Sequence, residues 1–450
     1  MFRVRILKYL LIALLVFAIP FVYFGIDGFT VDINGKETKA KYTSRKEEPT
    51  MEIVFDKNVE VFNYFTVKYT SDAFLKCELK FKTALGFEEE EFFLEDAPEQ
   101  KTFQSFIKKN ALSIKSMTVT PLNKEKADFK IISLDTEKRE LPDDYIYIQN
   151  DEIKIGVSLK WGGALAYYED LNSDVEAVYH NGRIKVDSKA SEKYGCECVN
   201  SNVNLINRHD TGRLIQQSYY GTRDESEYTP GVFMKQVWSY NPVQGGNQYN
   251  ESSEIVDYKI TDNSIYIKCR PLDWAKSAEY ITPSYMEATY TLKGKLLKVD
   301  CRFTDFSGYS SVYKGQELPA FYPIEPFNTL VHYEGDKPGT NDKLSYQKDL
   351  GFWAETGYPR FKTTEKWSAF VGEFKDSFGL GLYSDTCDKV LAGVFKRDKT
   401  QNADPSVDNP TSYIAITQPF MFQSFVPFEY SFSITSGTAE EMRNTFLNQK

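Results

Sequence analysis

The stretch that decides the fold reads Tyr285-Met-Glu-Ala-Thr-Tyr-Thr-Leu292, Lys293-Gly-Lys295, Leu296-Leu-Lys-Val-Asp-Cys-Arg-Phe303. Two runs rich in β-branched and aromatic residues flank a short turn that contains glycine, which is the pattern of an antiparallel β-hairpin. Runs of the same kind recur at 153–159 and 264–269, and long helical periodicity is missing from the chain. We therefore predict an all-β fold.

The chain is long enough for two folded units. Alternating runs such as Met51-Glu-Ile-Val-Phe55 occupy its first third, and the charged, proline-containing stretch 135–144 is typical of a linker. The roughly 300 residues of strands after that linker favour two packed sheets over one flat sheet. Thr438 and Glu441 have the spacing of a capping box at the start of a helix. The predicted segments are a membrane segment at 1–26, a small β-sandwich at 27–140, a large two-sheet β-sandwich at 145–437 and a C-terminal helix at 438–450.

A basic flank precedes an uncharged run at the N-terminus. Arg3, Arg5 and Lys8 are followed by a run without charge from Tyr9 to Ile26. Such a flank keeps the N-terminus in the cytoplasm and directs the following chain across the bilayer. No Ala-x-Ala cleavage pattern is evident, which favours an uncleaved anchor, with a removed signal peptide as the alternative. We expect an extracytoplasmic protein that is membrane-anchored by this segment or secreted.

Composition narrows the possible partners. The 64 acidic residues exceed the 54 Lys and Arg residues, and nucleic acid requires a basic surface instead. Six cysteines permit disulfides in an exported chain without requiring them, and the repeated Cys-x-x-Cys spacing of zinc sites is absent. Phosphate-loop, Gly-x-Ser-x-Gly and His-Glu-x-x-His motifs are also absent. We expect no nucleic-acid partner, no metal and no cofactor.

The densest group of polar side chains lies in Asn204-Leu-Ile-Asn-Arg-His-Asp-Thr-Gly-Arg-Leu-Ile-Gln-Gln-Ser-Tyr-Tyr220. Read as a strand after Gly212, this segment has polar groups on both faces, so it either lies at a sheet edge or lines a wet cleft with one face. The loop Trp238-Ser-Tyr-Asn-Pro-Val-Gln-Gly-Gly-Asn-Gln248 adds further amides. The amides, phenols and guanidiniums of this segment and loop can exchange hydrogen bonds with sugar hydroxyls. Alternatively, they form hydrogen bonds with the neighbouring backbone.

Carboxylates and tryptophans elsewhere complete the candidate site. Glu317 and Glu365 are candidates for acid–base chemistry, because each lies beside aromatic residues. All five tryptophans fall between 161 and 367, where they either stack on sugar rings or fill a core. The candidate catalytic residues are His209, Asp210, Arg213, Tyr219, Glu317 and Glu365. The candidate substrate-binding residues are Gln216, Gln217, Tyr220, Trp238, Asn241, Gln244, Asn247, Trp353 and Trp367.

Five segments together resemble uncharacterised secreted bacterial proteins of the galactose-mutarotase-like, or supersandwich, carbohydrate-active group. They are Trp161-Gly-Gly163, Asn207–Tyr220, Asn241-Pro-Val-Gln-Gly-Gly246, Gln316-Glu-Leu-Pro319 and Glu365-Lys-Trp367. The resemblance covers about 150–435 and implies a supersandwich fold for the second unit and a carbohydrate ligand. The His and Glu pair of mutarotases has no residue-by-residue match here, so the resemblance assigns no catalytic roles.

Two enzyme mechanisms fit the candidate residues. A glycoside hydrolase would place two of Asp210, Glu317 and Glu365 across a cleft. In a polysaccharide lyase, Tyr219 or Tyr220 would exchange the proton. His209 and Arg213 would then neutralise a uronate carboxylate.

A non-catalytic glycan-binding or envelope-structural protein is the alternative. It needs the aromatic and amide groups but no paired acid and base. In each case the expected partner is a poly- or oligosaccharide, held in a cleft between the 207–220 strand and the 238–248 loop.

Overall fold

The computed structural model describes residues 26–44, 50–107, 111–351, 357–372, 378–395 and 404–449. The chain divides into two compact units, Met1–Glu140 and Leu141–Lys450. Strands dominate both units, which confirms the all-β prediction. The predicted membrane segment lies almost wholly outside the described residues, within which no helix is long and apolar enough to cross a membrane.

The first unit is built on one curled sheet. Its strands are β1 Ile26–Ile33, β2 Lys36–Ser44, β3 Met51–Glu60, β4 Tyr64–Ser71, β5 Leu75–Thr83, β6 Gly86–Leu94, β7 Ala97–Phe106, β8 Ser113–Pro121 and β9 Phe129–Glu137. Their order is β6-β5-β8-β3-β2-β1-β9-β4-β7, in which β1 and β9 are parallel. The ring of Phe92 on β6 lies 5.2 Å from both Phe65 on β4 and Phe103 on β7, although β6 and β7 are at opposite ends of the order. The sheet therefore folds over its own aromatic core as a small sandwich.

The second unit contains the remaining elements. Its strands are β10 Tyr145–Gln149, β11 Ile153–Ser158, β12 Ala164–Asp170, β13 Val175–His180, β14 Arg183–Ser188, β15 Cys198–Asn200, β16 Gln216–Ser218, β17 Gly231–Phe233, β18 Gln236–Trp238, β19 Pro242–Val243, β20 Glu254–Ile260, β21 Ser264–Arg270, β22 Leu272–Asp273, β23 Ser284–Lys293, β24 Leu296–Asp305, β25 Lys314–Phe321, β26 Phe327–His332, β27 Ser345–Gln347, β28 Arg360–Lys362, β29 Trp367–Gly372, β30 Gly379–Tyr383, β31 Lys389–Phe395, β32 Thr411–Phe420 and β33 Phe428–Gly437. The helices among its described residues are a 3-10 turn at Leu159–Trp161, α1 Ala190–Tyr194 and α2 Ala439–Leu447.

Two large antiparallel sheets form the body of the second unit. One has seven strands in the order β22-β19-β16-β25-β32-β31-β28, and the other has nine in the order β20-β21-β23-β24-β33-β30-β29-β26-β27. The predicted hairpin is confirmed as β23 and β24, joined by a turn in which Gly294 has a φ of 57°. Tyr219, directly after β16, stacks on Phe303 of β24 at 4.1 Å, which packs one sheet on the other. The predicted two-sheet sandwich is thereby confirmed.

The C-terminal helix closes one side of the nine-stranded sheet. The hydroxyl of Thr438 accepts from the backbone N–H of Glu441, whose carboxylate accepts from the backbone of Thr438, so the predicted capping box is present. Met442 and Phe446 of α2 pack into a buried cluster with Trp367 of β29. The amphipathic helix therefore covers apolar surface that the sheet would otherwise expose.

The position of β16 decides between the two alternatives for the polar segment. β16 lies between β19 and β25, so the expectation of a sheet edge is wrong. Gln217 and Tyr219 point between the two large sheets, while Gln216 and Ser218 point to the opposite face. Because side chains alternate along a strand, one polar face of this segment is left to line a cleft.

Candidate functional site

A cavity of about 550 Å³ opens on the outer face of the seven-stranded sheet. The register pairs Ser218 of β16 with Val243 on one side and with Glu317 of β25 on the other, so all three contribute to its floor. The residues that line the cavity are Asp210, Gly212, Arg213, Gln216, Ser218, Tyr220, Phe233, Met234, Trp238, Asn241, Val243, Gln248, Trp274, Glu317, Ala320, Tyr322, Tyr358, Phe395 and Tyr413. Seven of the fifteen predicted site residues are among them, which brings together the 210–220 segment, the 238–248 loop and Glu317.

Aromatic rings from distant parts of the chain make up one wall of the cavity. Phe233 lies edge-on to Trp238 at 5.1 Å and to Trp274 at 5.5 Å, and Tyr220 lies 6.2 Å from Trp238. A Cβ atom on Gly212 would lie 2.6 Å from the Trp274 ring, so this position requires glycine for the ring to sit where it does. The fold thus places four aromatic rings around one opening.

Tyrosines of the sheet itself form a second aromatic group. The ring of Tyr413 on β32 lies 4.6 Å from that of Tyr322 and 4.9 Å from that of Tyr358. Tyr322 contacts Phe395 of β31 at 5.9 Å. The order of the seven-stranded sheet assembles this group, since β25 is the neighbour of β32 in space but is distant from it in sequence.

Asn241 fixes the geometry of the loop side. Its amide donates to the hydroxyl of Ser218 at 3.1 Å and to the carbonyl of Tyr219 at 2.7 Å, and its Oδ1 accepts from the indole N–H of Trp238 at 3.0 Å. Its carbonyl accepts from the backbone N–H of Trp274 at 2.9 Å. One buried asparagine therefore holds Trp238 through its side chain and Trp274 through its backbone carbonyl.

Glu317 is the carboxylate at the centre of the cavity floor. Burial raises the pKa of Glu317 above its ordinary value of 4.5, and hydrogen bonds from the hydroxyls of Tyr413, Ser218 and Tyr220 offset only part of that effect. Burial likewise raises the pKa of Tyr220 and Tyr413 well above 10, with the nearby Glu317 as a further cause. The phenols therefore remain protonated donors, and Glu317 is the most acidic group of this cluster.

Asp210 lines the cavity, but both of its carboxylate oxygens accept hydrogen bonds from neighbouring protein groups. Its Oδ1 accepts from the backbone N–H groups of Gly212 and Arg213 at 3.0 and 3.1 Å, and its Oδ2 accepts from Nε and Nη2 of the Arg213 guanidinium. Burial opposes ionisation of Asp210, but the hydrogen bonds and charge of Arg213 outweigh it and lower its pKa. Asp210 is therefore an ionised, positioning partner of the buried Arg213, whose Nη1 also donates to Asn409.

Four predicted residues on the same segment and loop point away from the cavity. Tyr219 is fully buried between the sheets, where its hydroxyl donates to Gln217 at 3.0 Å, and Gln217 donates to the carbonyl of Glu287. Gln244 donates to the carbonyl of Gly162, and Asn247 donates to Glu251 and to the carbonyl of Lys276. These polar groups bond to neighbouring protein groups, so we correct their assignment to ligand contact.

His209 also lies outside the cavity lining. Its ring is exposed, and Nδ1 donates to the carbonyl of Val407 at 2.6 Å. The predicted pairing of His209 and Arg213 against a uronate is wrong in this geometry, because Arg213 is already neutralised by Asp210.

Glu365 and Trp367 belong to a buried structural network under α2. Nε and Nη2 of Arg443 donate to Glu365 at 2.9 and 2.6 Å, and the indole N–H of Trp367 donates to Glu365 at 3.0 Å. Trp367 is 0% exposed. Both residues are therefore parts of the fold and do not reach the cavity. Trp353 lies outside the described residues.

Sequence reasoning missed the tyrosine group and Trp274. Tyr322 lies three residues after the Gln316–Pro319 run, and Trp274 is one of only five tryptophans, so both carried a weak signal. Tyr358 and Tyr413 carried none, because the sheet order that brings them to Glu317 spans almost a hundred residues. Among the residues described, no group of three or more His, Cys, Asp or Glu side chains could hold a metal ion.

Comparison with known proteins gives no family assignment, because no protein-family model and no curated protein sequence matches the chain. Similar solved structures include 4-alpha-glucanotransferase from Thermococcus litoralis, with 12% identity and a TM-score of 0.32 over 65% of this chain and 37% of that chain. A putative aldose 1-epimerase from Escherichia coli K12 has 8% identity and a TM-score of 0.36 over 65% of this chain and 99% of that chain. A galactose mutarotase related enzyme from Lactobacillus acidophilus has 12% identity and a TM-score of 0.33 over 65% and 97%. This chain spans well under half of the glucanotransferase. Likeness at this level carries no argument about activity, and the supersandwich resemblance stays a prediction.

Proposed function

We propose that the second unit binds a saccharide in this cavity and that Glu317 exchanges a proton with the bound sugar. The observation that carries the proposal is a partly buried carboxylic acid with a raised pKa, placed among three hydroxyl donors in a cavity with eight aromatic rings. Environments that shift a carboxyl pKa in this way are typical of acid–base catalysis.

The lining of the cavity matches the chemistry of sugars. A pyranose ring has apolar C–H faces and polar hydroxyl edges, and the flat faces of Trp238 and Trp274 suit the former. The amide of Gln216 donates to the carbonyl of Thr211 and accepts from the backbone N–H of Gly245, and that of Gln248 donates to the carbonyl of Val232, so these amides are already bonded to protein groups. The hydroxyls of Ser218, Tyr220 and Tyr413 and the carboxylate of Glu317 are the polar groups of the cavity that suit the sugar hydroxyls. The volume of about 550 Å³ falls within the range of small-molecule sites.

The available groups favour proton transfer by one carboxylate. Of the three candidate carboxylates, Glu365 lies in the core and Asp210 is neutralised by Arg213. Glu317 therefore stands alone, whereas a glycoside hydrolase uses two carboxyl groups on either side of the bond. A reaction that one general acid or base can assist, such as the opening of a sugar ring, fits better.

A non-catalytic saccharide-binding protein is the second candidate. The pairing of Asp210 with Arg213 favours this candidate, because it leaves Glu317 as the one predicted carboxylate in the cavity that is not paired with a cation. Binding needs only the aromatic wall and the polar groups of the floor, where the Glu317 carboxylate accepts a hydrogen bond from a sugar hydroxyl.

The variant Glu317→Gln separates the two candidates, because an amide copies the shape of the protonated acid but cannot transfer its proton. The purified full chain is titrated calorimetrically with neutral and uronate-containing oligosaccharides, while reducing ends and unsaturated uronates are assayed. An enzyme loses turnover by about 10²-fold or more on this substitution and keeps its affinity within roughly tenfold. Glu279→Gln, at an exposed carboxylate outside the cavity lining, is the matched control.

Three outcomes are informative. Turnover that is lost in Glu317→Gln alone supports catalysis by Glu317. Binding without turnover in the unchanged chain supports the binding protein. Absence of binding to every saccharide, or affinity unaffected by Trp238→Ala and Trp274→Ala, would overturn the proposal for this cavity.

We further propose that the protein acts outside the cytoplasm. The basic flank of Arg3, Arg5 and Lys8 before an uncharged run supports this. Cells that express the full chain with a C-terminal epitope are fractionated and treated with protease. Protection of the epitope in a cytosolic fraction would contradict the proposal.

A further inference from the structure

A histidine, a cysteine and an asparagine meet on the small sheet made of β14, β13 and β15. His180 ends β13, and the turn Asn181-Gly182 follows with φ values of 52° and 75°. Nδ1 of His180 lies 3.3 Å from Sγ of Cys196, and the side-chain amide of Asn181 lies 2.9 Å from Nε2. The tight hairpin thus fixes an imidazole with a thiol at one nitrogen and an amide at the other.

The environment of Cys196 differs from that of the other described cysteines. Cys77, Cys269, Cys301 and Cys387 are buried, and burial raises the pKa of each thiol, which makes them poor nucleophiles. Cys196 is partly exposed and adjoins an imidazole. Among these five, access and a neighbouring base coincide at Cys196 alone.

We propose that Cys196 is a reactive thiol that forms mixed disulfides with small-molecule disulfides, with His180 as its base and Asn181 as the residue that orients the ring. In the first step the Sγ–H proton moves to Nδ1 of His180 as the sulfur attacks one sulfur of the disulfide. A new S–S bond forms, the original S–S bond breaks, and the departing thiolate takes the proton from His180. The reverse exchange with a free thiol restores Cys196.

The surroundings of the pair permit this role. The amide of Asn181 can turn its oxygen toward Nε2, which places the ring proton there and leaves Nδ1 free to accept from the thiol. The ring of Tyr194 lies 5.1 Å from that of His180, tilted by 38°. The carbonyl of Tyr194 lies 3.3 Å from Sγ of Cys196 and is a second acceptor for the thiol proton, so the thiol must turn toward Nδ1 of His180 to react. Lys193 on α1 is paired with Asp187, and Arg183 lies opposite His180 in the hairpin register. None of these residues lines the saccharide cavity, so the site is independent of the proposed function.

The test follows the reaction of the folded full chain with the aromatic disulfide dithiobis(nitrobenzoate), which releases a coloured thiolate. Mass spectrometry of peptides is expected to place the adduct on Cys196. General-base assistance commonly contributes about 10²-fold or more, so His180→Gln is expected to slow the reaction at least about tenfold. Added imidazole is expected to restore part of the rate in His180→Gly, which a merely structural role would not allow.

The chain provides its own folding control. The four buried cysteines stay unreacted while the fold persists, so a variant in which the reagent modifies them has unfolded. Asn181→Ala then replaces that variant, and it is expected to slow the reaction less than His180→Gln does. The variants Cys196→Ser and Cys198→Ser separate the two neighbouring thiols. Modification of Cys198 in place of Cys196, or equal rates in the unchanged chain, His180→Gln and Asn181→Ala, would overturn the proposal.

Discussion

Replacing Arg443 by Met removes the ionic partner of a carboxylate that has almost no access to water. Glu365 is 3% exposed and Arg443 is 4% exposed, and two guanidinium nitrogens donate to the carboxylate. Loss of one member of a buried ion pair costs about 3–5 kcal/mol, because the remaining charge is left uncompensated. We therefore expect a large fall in the stability of the second unit.

The size of that unit converts the free energy into a shift of melting temperature. The unit spans Leu141–Lys450, and its unfolding entropy at about 2.1 cal/mol/K per residue is roughly 0.65 kcal/mol/K. A loss of about 3–5 kcal/mol then lowers Tm by about 5–8 °C. All five tryptophans lie in this unit, so thermal unfolding followed by tryptophan fluorescence reports on it selectively.

The pH dependence gives an independent check. Burial opposes ionisation of Glu365, but the hydrogen bonds from Arg443 and Gly339 outweigh it and lower its pKa below 4.5. The unfolded chain then binds more protons near that pH, so this contribution to stability is present above about 4.5 and is lost as the pH falls further. In Arg443→Met the unpaired, buried carboxylate of Glu365 is more stable in its protonated, neutral form. The stability difference between the variant and the unchanged chain should therefore shrink as the pH falls from about 7 toward about 4.5.

The matched control is Arg360→Met at an exposed arginine of β28. We expect it to change the free energy of unfolding by less than about 0.5 kcal/mol. Equal melting temperatures for Arg443→Met and Arg360→Met would refute the assignment of Glu365 to the structural network and return it to the list of candidate catalytic groups.

Two further substitutions test the placement of predicted and unpredicted residues. Tyr219→Phe leaves the buried Oε1 of Gln217 without its hydroxyl donor, so chemical denaturation should show a free energy of unfolding lower by about 1–2 kcal/mol. Calorimetry should show unchanged saccharide affinity, and a weakened affinity would place Tyr219 at the ligand. Lys314→Met should have the opposite effect on stability, since burial, with the charge of Arg223 as a lesser cause, lowers the pKa of Lys314 to about 8. The unfolded chain binds the extra proton between about 8 and 10.5, so the unchanged protein gains stability as the pH rises through that window. Solvent partly screens the ammonium, and Met also loses the hydrogen bond to Ser239, so Lys314→Met should be more stable at pH 7 by about 1 kcal/mol or less. Equal stability of the two chains at every pH would contradict this reasoning.

Local pattern was sufficient to predict the strands, the central hairpin and the capped C-terminal helix. In each of these the deciding interactions join residues close in sequence, as between Thr438 and Glu441. The alternation along 213–220 left a sheet edge and a cleft-lining face as alternatives, and only the strand order β19-β16-β25 decides between them.

The candidate site was predictable only where its residues share a short segment. The pairing of Glu365 with Arg443 spans 78 positions, and that of Glu317 with Tyr413 spans 96, so neither leaves a trace in local pattern. An acidic residue beside a tryptophan predicts acid–base chemistry and a buried ion pair equally well, and the partner that distinguishes them comes from a distant element.

The floor of the cavity and the hairpin at its opening differ in how well the fold tolerates changes in their sequence. Its floor is a hydrogen-bonded row through Ser218, Val243 and Glu317, where a slip of one residue would turn every side chain to the other face. Phe233, Met234 and Trp238, by contrast, stand on the two-stranded hairpin of β17 and β18, whose strands pair only with each other within the described residues. Substitutions or insertions in that hairpin can therefore reshape the opening without disturbing the register beneath it. The shape of the opening can therefore diverge through the hairpin while Glu317 keeps its position on the floor.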